Sequence, residues 1–596
     1  MTVFKMHERI VDLLQAEGID TIFGIPDPSF FAMFIEAEKR GMNVVSPHHE
    51  QSAALMADGL YRMTGKPGVL GINKGPGVAN IAAGAAYLAK ENIPAVFIMA
   101  QRQRIYEHRV RRGKMQHMPQ PPLFTGAMKY IGVIEYPEQV DEIFHEAFRR
   151  AYTGVPGPTY VELPLSVAQA QLDLPPVLAP GRYRLVNQQA GTDALAEAVE
   201  LLTNAEAPIM LLGQGAFASR AHAELRELAA KLNCPIIATT AVEAVLEGYA
   251  DRSFPYGSDA AIEAVSRADV VLAIGTEIGE AMHYGRGNHW AKGRADRKWI
   301  YVERDPTAIG VNRPIDVPLV GDVRGVVPQL SKALGNLSRP LPAEIAEWAK
   351  LNVKAQQELA ASVPATEPIH TGRLAIEATK VLPKDFVLVR DGGASSMWFS
   401  GLMQHPPSDA MWNSNYGAIG PGLPYAIGAQ IAAPERRVVL LTGDSSFLFH
   451  VSELETAVRK NLPVISIVAV DHAWGIEAAS YKANFGDETP TPEARWGNQV
   501  RLDKLAESLG AHGEYVDKVA DIGPAVERAL ASGKPAVVHV EVDQLVNSTF
   551  AGIPGFKEFR TWYGEEGDNL GVLGGGAAPS AGAKDGDAPM TQGSGY

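Results

Sequence analysis

The sequence contains one cysteine among 596 residues, so disulfide bonds within the chain are excluded. A chain without disulfides is typical of a reducing compartment, and we expect a cytoplasmic protein. The cysteine itself, Cys234, lies in the run KLNCPIIATT, which predicts a buried strand. This setting favours a structural thiol over a catalytic one.

Long hydrophobic runs are also missing. No apolar stretch approaches the roughly 20 residues needed to cross a bilayer, so we expect no membrane association. The first residues, MTVFKMHERIVDLLQAEG, place Ile10, Leu13 and Leu14 on one helical face. That pattern is typical of an amphipathic helix and not of a secretory signal.

Positive charge is in short supply, because 54 Lys and Arg residues stand against 68 Asp and Glu residues, a net charge of −14. A protein this acidic lacks the basic surface that general nucleic-acid binding requires. Any anionic ligand must therefore be bound by a local cluster of cations. The hydrophobic content of 46% and the charged content of 20% are typical of a soluble globular chain.

Short apolar runs alternate with helical patterns through most of the chain, which predicts parallel sheets covered by helices. A length of 596 residues predicts three or four domains at about 100–200 residues each. The stretches AQAQLDLPPVLAPGRYR and SVPATEPIH are candidate boundaries. We predict three doubly wound α/β domains at residues 1–168, 190–340 and 365–545, followed by a C-terminal segment at 546–596.

The clearest functional signal is an acidic residue at each of two strand ends. The strand of LLTGDSSFLFH ends in Gly443-Asp444-Ser445-Ser446 before a helix, an arrangement that binds phosphate through free backbone N–H groups. The next strand, in VISIVAVDHAWG, ends at Asp471. Parallel strands bring both carboxylates to one edge, where they suit Mg²⁺ shared with phosphate oxygens. The alternative for Asp444 alone is a helix N-cap.

Together with Glu453-Leu454 and Leu462-Pro463, this pattern resembles the metal–diphosphate motif of thiamine-diphosphate enzymes, most closely the pyruvate decarboxylase and acetolactate synthase superfamily. Two positions depart from the family pattern, since Ser445 replaces a glycine and Val470-Asp471 replaces an Asn pair. An aspartate keeps the oxygen ligand, so we expect metal binding to survive. The Mg²⁺ ligands that the resemblance implies are Asp444, Asp471 and the backbone carbonyl of Ala473.

Two further segments resemble the same family. RDGGASSMW (390–398) resembles the strand end that contacts the diphosphate, and NYGAIGPGLPYAIGA (415–429) resembles the loop beside the pyrimidine. The resemblance implies that the carbonyl of Gly417 accepts a hydrogen bond from the aminopyrimidine and that Ile419 wedges the cofactor into its bent form. The alternatives are a tight turn and ordinary packing. The implied diphosphate contacts are Ala394, Ser395, Ser396, Ser445 and Ser446.

In the first predicted domain, NVVSPHHEQSAALMADGLYRM resembles the family's strand–Glu–helix segment and implies Glu50 as the glutamate that activates the cofactor. A carboxyl bonded to the aminopyrimidine favours the imino tautomer, whose nitrogen removes the weakly acidic thiazolium proton. Alone, Glu50 would be an ordinary helix-start residue. GPGVAN (75–80), which ends at Asn80, resembles the loop that reaches the neighbouring subunit's cofactor.

This resemblance also implies an order of domains and an assembly. The first domain would bind the pyrimidine, the central one would be nucleotide-binding in type, and the third would bind the diphosphate and Mg²⁺. Because Glu50 and Asp444 meet across a subunit interface in this family, we expect a homo-oligomer, at least a dimer and often a tetramer.

Three segments resemble the acyl-CoA branch of the family, which comprises oxalyl-CoA decarboxylase and 2-hydroxyacyl-CoA lyase. They are FGIPDPSF (23–30) with Pro26, GKMQHMPQ (113–120) with Gln116, and GTEIGEAMHYG (275–285) with His283. The resemblance implies a lyase that reversibly cleaves a 2-hydroxyacyl-CoA to formyl-CoA and an aldehyde or ketone. The alternatives are a 2-oxoacid or oxalyl-CoA decarboxylase, an acetolactate synthase-like carboligase, and a thiamine-binding partner subunit without catalysis.

Cations cluster around and after the last of these segments, in a protein that is otherwise acidic. Such a cluster suits the phosphates of CoA. Arg220 and Glu303 are candidates for phosphate and ribose contacts. The alternatives are a solvated basic loop, or an ADP or FAD site without CoA. The cluster runs from His283 to Lys298 and contains Arg286, His289, Lys292, Arg294 and Arg297.

Few residues are candidates for proton transfer. Glu477 follows Asp471 at the spacing of an active-site acid in the decarboxylases, and its alternative is a helix-surface residue. Glu493, on a Pro-rich stretch, is either a residue that folds over the cofactor or a solvated acid. Gln116 is a candidate for holding the substrate's oxygen, with the His48-His49 pair as a further candidate. Residues 552–564 are either a lid that excludes water or part of a disordered tail.

Overall fold

The computed structural model describes residues 2–547, except positions 108, 240, 241, 243, 287–289, 291–293, 295, 487 and 497–499. The candidate lid at 552–564 lies outside the described residues. The described chain forms three six-stranded sheets whose strands all run parallel, and one two-stranded antiparallel ribbon. The prediction of three parallel-sheet α/β domains is confirmed.

The first domain contains a sheet covered by helices on both faces, together with the ribbon. Its strands are β1 (Thr2–Lys5), β2 (Thr21–Phe23), β3 (Asn43–Val45), β4 (Gly68–Ile72), β5 (Ala95–Gln101), β6 (Tyr130–Val133), β7 (Pro158–Pro164) and β8 (Gln171–Leu174). Its α-helices are α1 (Met6–Ala16), α2 (Phe31–Lys39), α3 (Glu50–Thr64), α4 (Pro76–Lys90), α5 (Arg104–Glu107), α6 (Val140–Tyr152) and α7 (Leu165–Ala168). The sheet order is β3-β2-β4-β5-β7-β6, and β1 pairs with β8 in the ribbon.

The middle domain has a different sheet order. Its strands are β9 (Pro208–Leu212), β10 (Ile236–Ala238), β11 (Ser253–Pro255), β12 (Val270–Ile274), β13 (Lys298–Glu303) and β14 (Val317–Val320). Its α-helices are α8 (Thr192–Asn204), α9 (Gln214–Ala218), α10 (His222–Leu232), α11 (Asp259–Arg267) and α12 (Val323–Ala333), and α13 (Glu344–Ser362) follows. The order β11-β10-β9-β12-β13-β14 is the 3-2-1-4-5-6 order of dinucleotide-binding sheets.

The third domain repeats the strand order of the first. Its strands are β15 (Val387–Arg390), β16 (Asp409–Met411), β17 (Val438–Gly443), β18 (Ile465–Val470), β19 (His512–Val516) and β20 (Ala536–Glu541). Its α-helices are α14 (Thr371–Lys380), α15 (Ala394–Leu402), α16 (Gly422–Ala432), α17 (Asp444–Leu448), α18 (Glu453–Arg459), α19 (Gly475–Phe485), α20 (Leu502–Ser508) and α21 (Ile522–Ala531). Its sheet order is β16-β15-β17-β18-β20-β19.

Burial explains the composition of the central strands. Every residue of β17 and β18 is buried, because helices cover both faces of the sheet, and their sequences are accordingly near-continuous apolar runs. In such a sheet, ligands bind at the carboxyl ends of the strands, where the chain leaves the core. None of the described helices is both long enough and apolar enough to span a membrane.

The first and third domains are joined by two helices that touch through glycines. A Cβ at Gly59 of α3 would lie 2.2 Å from the carbonyl oxygen of Tyr425, and a Cβ at Gly428 of α16 would lie 1.9 Å from that of Met56. Only glycine lets the two backbones approach this closely. This contact fixes the position of the third domain's loops relative to the first domain.

Candidate active site

Three helices begin at the carboxyl edge of the third sheet. The N-termini of α15, α17 and α19 follow the adjacent strands β15, β17 and β18. The first turn of each helix leaves backbone N–H groups without intrahelical partners, and these groups attract anions. Three such N-termini side by side suit a ligand with more than one phosphate.

Asp444 and Asp471 lie at this edge and are buried, with 1% and 4% of their surfaces exposed. Asp444 accepts hydrogen bonds from the backbone N–H groups of Ser445 (2.8 Å) and His472 (2.9 Å), and Asp471 accepts one from Ala473 (3.1 Å). Burial raises the pKa of both carboxyls, and repulsion by Asp471 raises that of Asp444 further. A divalent cation between the two acids would relieve both effects.

The surrounding atoms fit the Mg²⁺ and diphosphate that the sequence resemblance implies. The hydroxyl of Ser446 is buried at the cavity wall and has no hydrogen-bond partner among the described residues. A Cβ at Gly392 would lie 3.2 Å from that hydroxyl, so glycine keeps the space open. The described residues contain no group of three or more His, Cys, Asp or Glu side chains suited to a metal. A cation here would therefore need backbone and phosphate oxygens as well, which suits Mg²⁺.

Asn547 joins this group although no sequence signal marked it. Its amide nitrogen donates to Asp471 Oδ2 (2.9 Å) and to Ser395 Oγ (3.2 Å). Ser396, in contrast, does not line the cavity, because its hydroxyl and its carbonyl both accept hydrogen bonds from buried Arg390 (2.8 and 3.0 Å). The contact of Ser396 with the diphosphate stays a prediction. Ala394, Ser395 and Ser445 do line the cavity.

The loop with Gly417 and Ile419 is held by two carboxylates that the sequence did not single out. Asp391 accepts hydrogen bonds from the backbone N–H groups of Gly420 (3.1 Å) and Gly422 (2.9 Å). Glu91 of the first domain accepts from the N–H groups of Asn415 and Tyr416, both at 2.8 Å. Gly417 has a φ of +66°, and both Gly417 and Ile419 line the cavity.

One cavity of about 870 Å³ contains the Asp444–Asp471 edge and extends to the middle domain. Its other end is lined by residues at the strand ends of the middle domain's sheet and by the loop that follows β12. A cavity of this size accommodates a ligand well beyond a single phosphate group. The middle-domain residues that line it include Gln214, Gly275, Thr276, Glu280, Tyr284 and Glu303.

Glu50 lies at a second centre, in the first domain. Its carboxylate accepts a hydrogen bond from the amide of Asn80 (2.9 Å) and lies against Gly77, where a Cβ would come within 2.9 Å of Glu50 Oε1. Gly75, at the start of the same loop, is in backbone contact with Gln116 and donates its N–H to Gln120 (3.0 Å). The structure thus brings the predicted residues Glu50, Asn80 and Gln116 together.

Pro26 is exposed on a neighbouring loop of the first domain. The next residue, Asp27, lies 3.6 Å from Lys74, which ties this loop to the start of α4, the helix that contains Asn80. Pro26, Glu50, Asn80 and Gln116 do not line the cavity that contains Asp444. Within one described chain, the two predicted halves of the site are therefore separate.

Comparison with known proteins identifies the family. Family models match all three domains: the N-terminal TPP binding domain of thiamine pyrophosphate enzymes at residues 4–128, their central domain at 195–330, and their C-terminal TPP binding domain at 391–540. The chain belongs to the thiamine pyrophosphate enzymes.

Similar curated proteins cover almost the whole of this thiamine pyrophosphate enzyme. A probable acetolactate synthase large subunit of Methanococcus aeolicus is 26% identical over 564 residues, 90% of this chain and 92% of that protein. The acetolactate synthase isozyme 2 large subunit of Escherichia coli is 28% identical over 544 residues, 90% and 95%. The sulfoacetaldehyde acetyltransferase of Alcaligenes xylosoxydans xylosoxydans is 27% identical over 575 residues, 90% and 93%. These relatives support the superfamily, and the acyl-CoA branch stays a prediction.

The basic cluster predicted to bind CoA phosphates is largely engaged inside this thiamine pyrophosphate enzyme. Arg297 donates to the backbone carbonyls of Val265, Ala268 and Trp290. Arg294 pairs with Glu206 and Asp296, and Lys298 pairs with Asp316. The sequence pattern counted these cations correctly, but Arg294 and Lys298 are paired with carboxylates and Arg297 is held by carbonyls. His289 and Lys292 lie outside the described residues.

The other predicted nucleotide contacts have mixed positions. Arg220 forms an ion pair with Asp409 away from the main cavity. His283 is buried against Tyr256, at 3.3 Å, and Arg286 is exposed, and neither lines the cavity. Glu303, at the end of β13, does line the cavity. Its carboxylate accepts hydrogen bonds from the backbone N–H groups of Arg304 (2.7 Å) and Asp305 (2.9 Å). Of the four, only Glu303 is placed to face a ligand in the cavity.

The two candidate acids of the third domain also differ. Glu477 is exposed in the first turn of α19 and lines the cavity. Glu493 is exposed, has a φ of +58° and does not line it. It precedes Ala494, whose carbonyl accepts the N–H of Trp474 (2.8 Å), so it adjoins the loop that contains Ala473. The N–H groups of His48 and His49 donate to buried Glu453, so this pair serves the contact between domains.

Proposed function

We propose that this thiamine pyrophosphate enzyme is a carbon–carbon lyase that cleaves a 2-hydroxyacyl-CoA to formyl-CoA and an aldehyde or ketone, in a reversible reaction. The observation that supports this substrate class is the continuity of the cavity. It joins the paired carboxylates at β17 and β18 to the loop 275–285, one of three segments that resemble the acyl-CoA branch. The middle-domain end of the cavity is thus lined by a segment of this branch, which a carboligase acting on free 2-oxoacids would not need.

In this proposal the third domain holds the cofactor. Asp444, Asp471 and the carbonyl of Ala473 would bind Mg²⁺, and the N-termini of α15 and α17 would bind the diphosphate together with the hydroxyl of Ser446. The Gly417 carbonyl and the Ile419 side chain would fix the pyrimidine end. Bound thiamine diphosphate would supply the electron sink that accepts the electron pair of the broken carbon–carbon bond.

Glu50 would complete the site from a second copy of the chain. Its carboxylate lies outside the cavity of its own chain, beside Asn80, and Gln116 contacts nearby Gly75. Both halves are built from ordered strand ends, and neither contains all the residues that the cofactor needs. We therefore propose a homodimer as the smallest active unit, with a dimer of dimers as the alternative assembly.

Proton transfer to and from the substrate would use the groups that line the completed site. Glu477 lines the cavity on α19, and we propose it as an acid–base group. Gln116 would hold the substrate's oxygen by hydrogen bonding, since an amide offers both a donor and an acceptor. Glu493 remains a second acid–base candidate, on the segment beside Ala473.

A second function is favoured by the relatives. An acetolactate synthase-like carboligase would use the same metal, cofactor and Glu50, with a 2-oxoacid as donor and no CoA. The named relatives that are acetolactate synthases support it. In that case an adenine nucleotide such as ADP would be at most an effector in the middle domain.

A substrate panel separates the two functions. Purified protein with Mg²⁺ and thiamine diphosphate is incubated separately with 2-hydroxyisobutyryl-CoA, mandelyl-CoA, oxalyl-CoA, pyruvate and benzoylformate. Formyl-CoA together with a ketone or aldehyde would establish the lyase. Carbon dioxide or acetolactate from the free 2-oxoacids, with the CoA esters unchanged, would establish the carboligase or decarboxylase and reject the lyase.

The variant Glu50→Gln tests the mechanism shared by both functions. We expect a loss of turnover of at least about a hundredfold, because an amide cannot act as the proton-transferring group toward the pyrimidine. Thermal stability and Mg²⁺ binding should match the unsubstituted protein, since Asp444 and Asp471 are untouched. Full activity in this variant would reject the role of Glu50.

A further inference from the structure

A second basic segment lies next to the Glu50 centre. Residues 101–120 contain six Lys or Arg residues and a single acid, Glu107, in a protein with a net charge of −14. The segment leaves the sheet at the carboxyl end of β5 and returns at Gln120. In parallel sheets this is the edge at which ligands bind.

Both ends of the segment are anchored in the domain. Arg104 donates to the carbonyl of Ile134 (2.8 Å) and pairs with Glu162 (3.1 Å). Gln120 is buried and donates to the carbonyl of Ala100 (3.1 Å). These contacts use Arg104 for structure and leave the middle of the segment at the surface.

The arginines in the middle of the segment lie at the surface. Arg109, Arg111 and Arg112 are exposed, and in the described part of the chain no carboxylate lies within ion-pair distance of any of them. Three cations of the predicted cluster between His283 and Lys298 differ from them, because Arg294, Arg297 and Lys298 all have partners. We name Arg109-Val110-Arg111-Arg112 the arginine loop.

Apolar side chains accompany these charges. Val110 is fully exposed between Arg109 and Arg111, and Met115, after Arg112, is 76% exposed. Cations next to exposed apolar side chains suit a ligand that has both phosphates and an apolar portion. A free inorganic anion would not use the apolar part.

The arginine loop is connected to the Glu50 centre by a short stretch of backbone. Gly113 and Gln116 both have positive φ, at +70° and +55°, so the chain turns twice on its way to the backbone contact between Gln116 and Gly75. The four Cα–Cα steps from Arg112 to Gln116 span at most about 14 Å. The phosphates of a CoA thioester lie a comparable distance from its thioester group, across the pantetheine arm.

We propose that the arginine loop binds the phosphates of the CoA moiety while the thioester lies at the site completed by Glu50 and Gln116. This inference rests on the proposed function, since it needs a CoA thioester as substrate. It replaces the cluster at 283–298 with cations that are free to meet an anion. Guanidinium groups are well suited to this contact because they bind phosphate through two parallel hydrogen bonds.

The test compares two triple variants of the full-length protein. The first carries R109Q, R111Q and R112Q. The control carries R182Q, K332Q and K384Q, which removes three exposed cations from other elements and so changes the net charge equally. Binding of CoA is measured by titration calorimetry at two salt concentrations, and the native mass is measured for each protein.

We expect the arginine-loop variant to bind CoA at least about tenfold more weakly and with less dependence on salt, while the control binds normally. For the lyase, KM should rise for a 2-hydroxyacyl-CoA and stay unchanged for the matching 2-hydroxyacyl-pantetheine thioester, which lacks the phosphates. Equal CoA binding in both variants would overturn the inference. A changed native mass would also overturn it, because the loop would then serve subunit contact.

The same measurements separate this inference from the proposed function. If the unsubstituted protein turns over CoA esters and the arginine-loop variant has an unchanged KM, the lyase stands and the phosphate site is rejected. If no CoA ester is turned over and CoA does not bind, both are rejected. CoA binding that depends on the arginine loop, without turnover, would support the site and reject the lyase.

Discussion

Asp391 is a buried carboxylate whose ionisation is coupled to folding. Burial raises its pKa to about 6, despite the hydrogen bonds that it accepts from backbone N–H groups. A raised folded-state pKa means that this group's contribution to stability is fully present below the unfolded pKa, about 3.9, and is lost as pH rises through about 6. Between pH 5 and pH 7 the loss amounts to about 1 kcal/mol.

The variant Asp391→Asn isolates this contribution. It should be less stable at every pH, because an amide nitrogen would face backbone N–H groups. The difference in the free energy of unfolding between the variant and the unsubstituted protein should nevertheless shrink by about 1 kcal/mol from pH 5 to pH 7. Denaturant unfolding of both proteins at the two pH values measures this difference. Parallel pH profiles would show that Asp391 titrates normally.

Glu91 reaches from the first domain to hold the loop with Gly417 and Ile419, which we propose as the pyrimidine contact. We expect Glu91→Gln to weaken thiamine diphosphate binding about tenfold, because the amide cannot accept from Asn415, Tyr416 and Arg62 at once. Turnover at saturating cofactor should change much less. Cofactor titration followed by fluorescence measures the affinity, with exposed Glu247→Gln as the control. An unchanged affinity would mean that the loop needs no support from Glu91.

The residues of the candidate site differ in how far the sequence could predict them. Asp444 and Asp471 each follow a short apolar run that is typical of a buried parallel strand, so their shared edge was predictable from local pattern. Asp391, Glu91 and Asn547 depend on partners far along the chain, which no local pattern reveals. The same holds for Arg297, whose charge was visible but whose three carbonyl partners were not.

At the scale of helices, the contact between α3 and α16 depends on the absence of side chains at two positions. Gly428→Ala would place a methyl group 1.9 Å from the carbonyl oxygen of Met56. We expect a loss of about 2–3 kcal/mol in the free energy of unfolding, since the two backbones must separate. Thermal unfolding measures the effect.

Gly191→Ala is the matched control for this substitution. A Cβ at Gly191 meets no atom within 4 Å, and its φ of −62° suits any residue. Its stability should therefore be unchanged or slightly higher. Equal melting temperatures for the two variants would show that the helices can move apart without cost. The sequence predicted both helices, but their glycines became informative only once the crossing was known.

At the scale of the whole molecule, local patterns predicted the sheets, whereas the meeting of the two half-sites was predicted only by the resemblance to a family. Alternating strand and helix patterns determine three parallel sheets, because each buried strand needs helices on both faces. Nothing in those patterns states whether Glu50 and Asp444 of one chain face the same cavity. In the structure Glu50 lies outside the cavity that contains Asp444.

A complementation experiment tests whether two copies share their sites. Glu50→Gln and Asp444→Asn are each expected to be inactive alone. When the two variants are co-expressed in equal amounts, half of the dimers pair one of each, and one of their two shared sites carries both intact residues. Activity should therefore return to about a quarter of the unsubstituted level. If Glu50 and Asp444 acted within one chain, every site would lack one residue, and the mixture would stay inactive. Mixed dimers isolated through two different tags would make this comparison independent of the mixing ratio, with about half of the full activity expected from them.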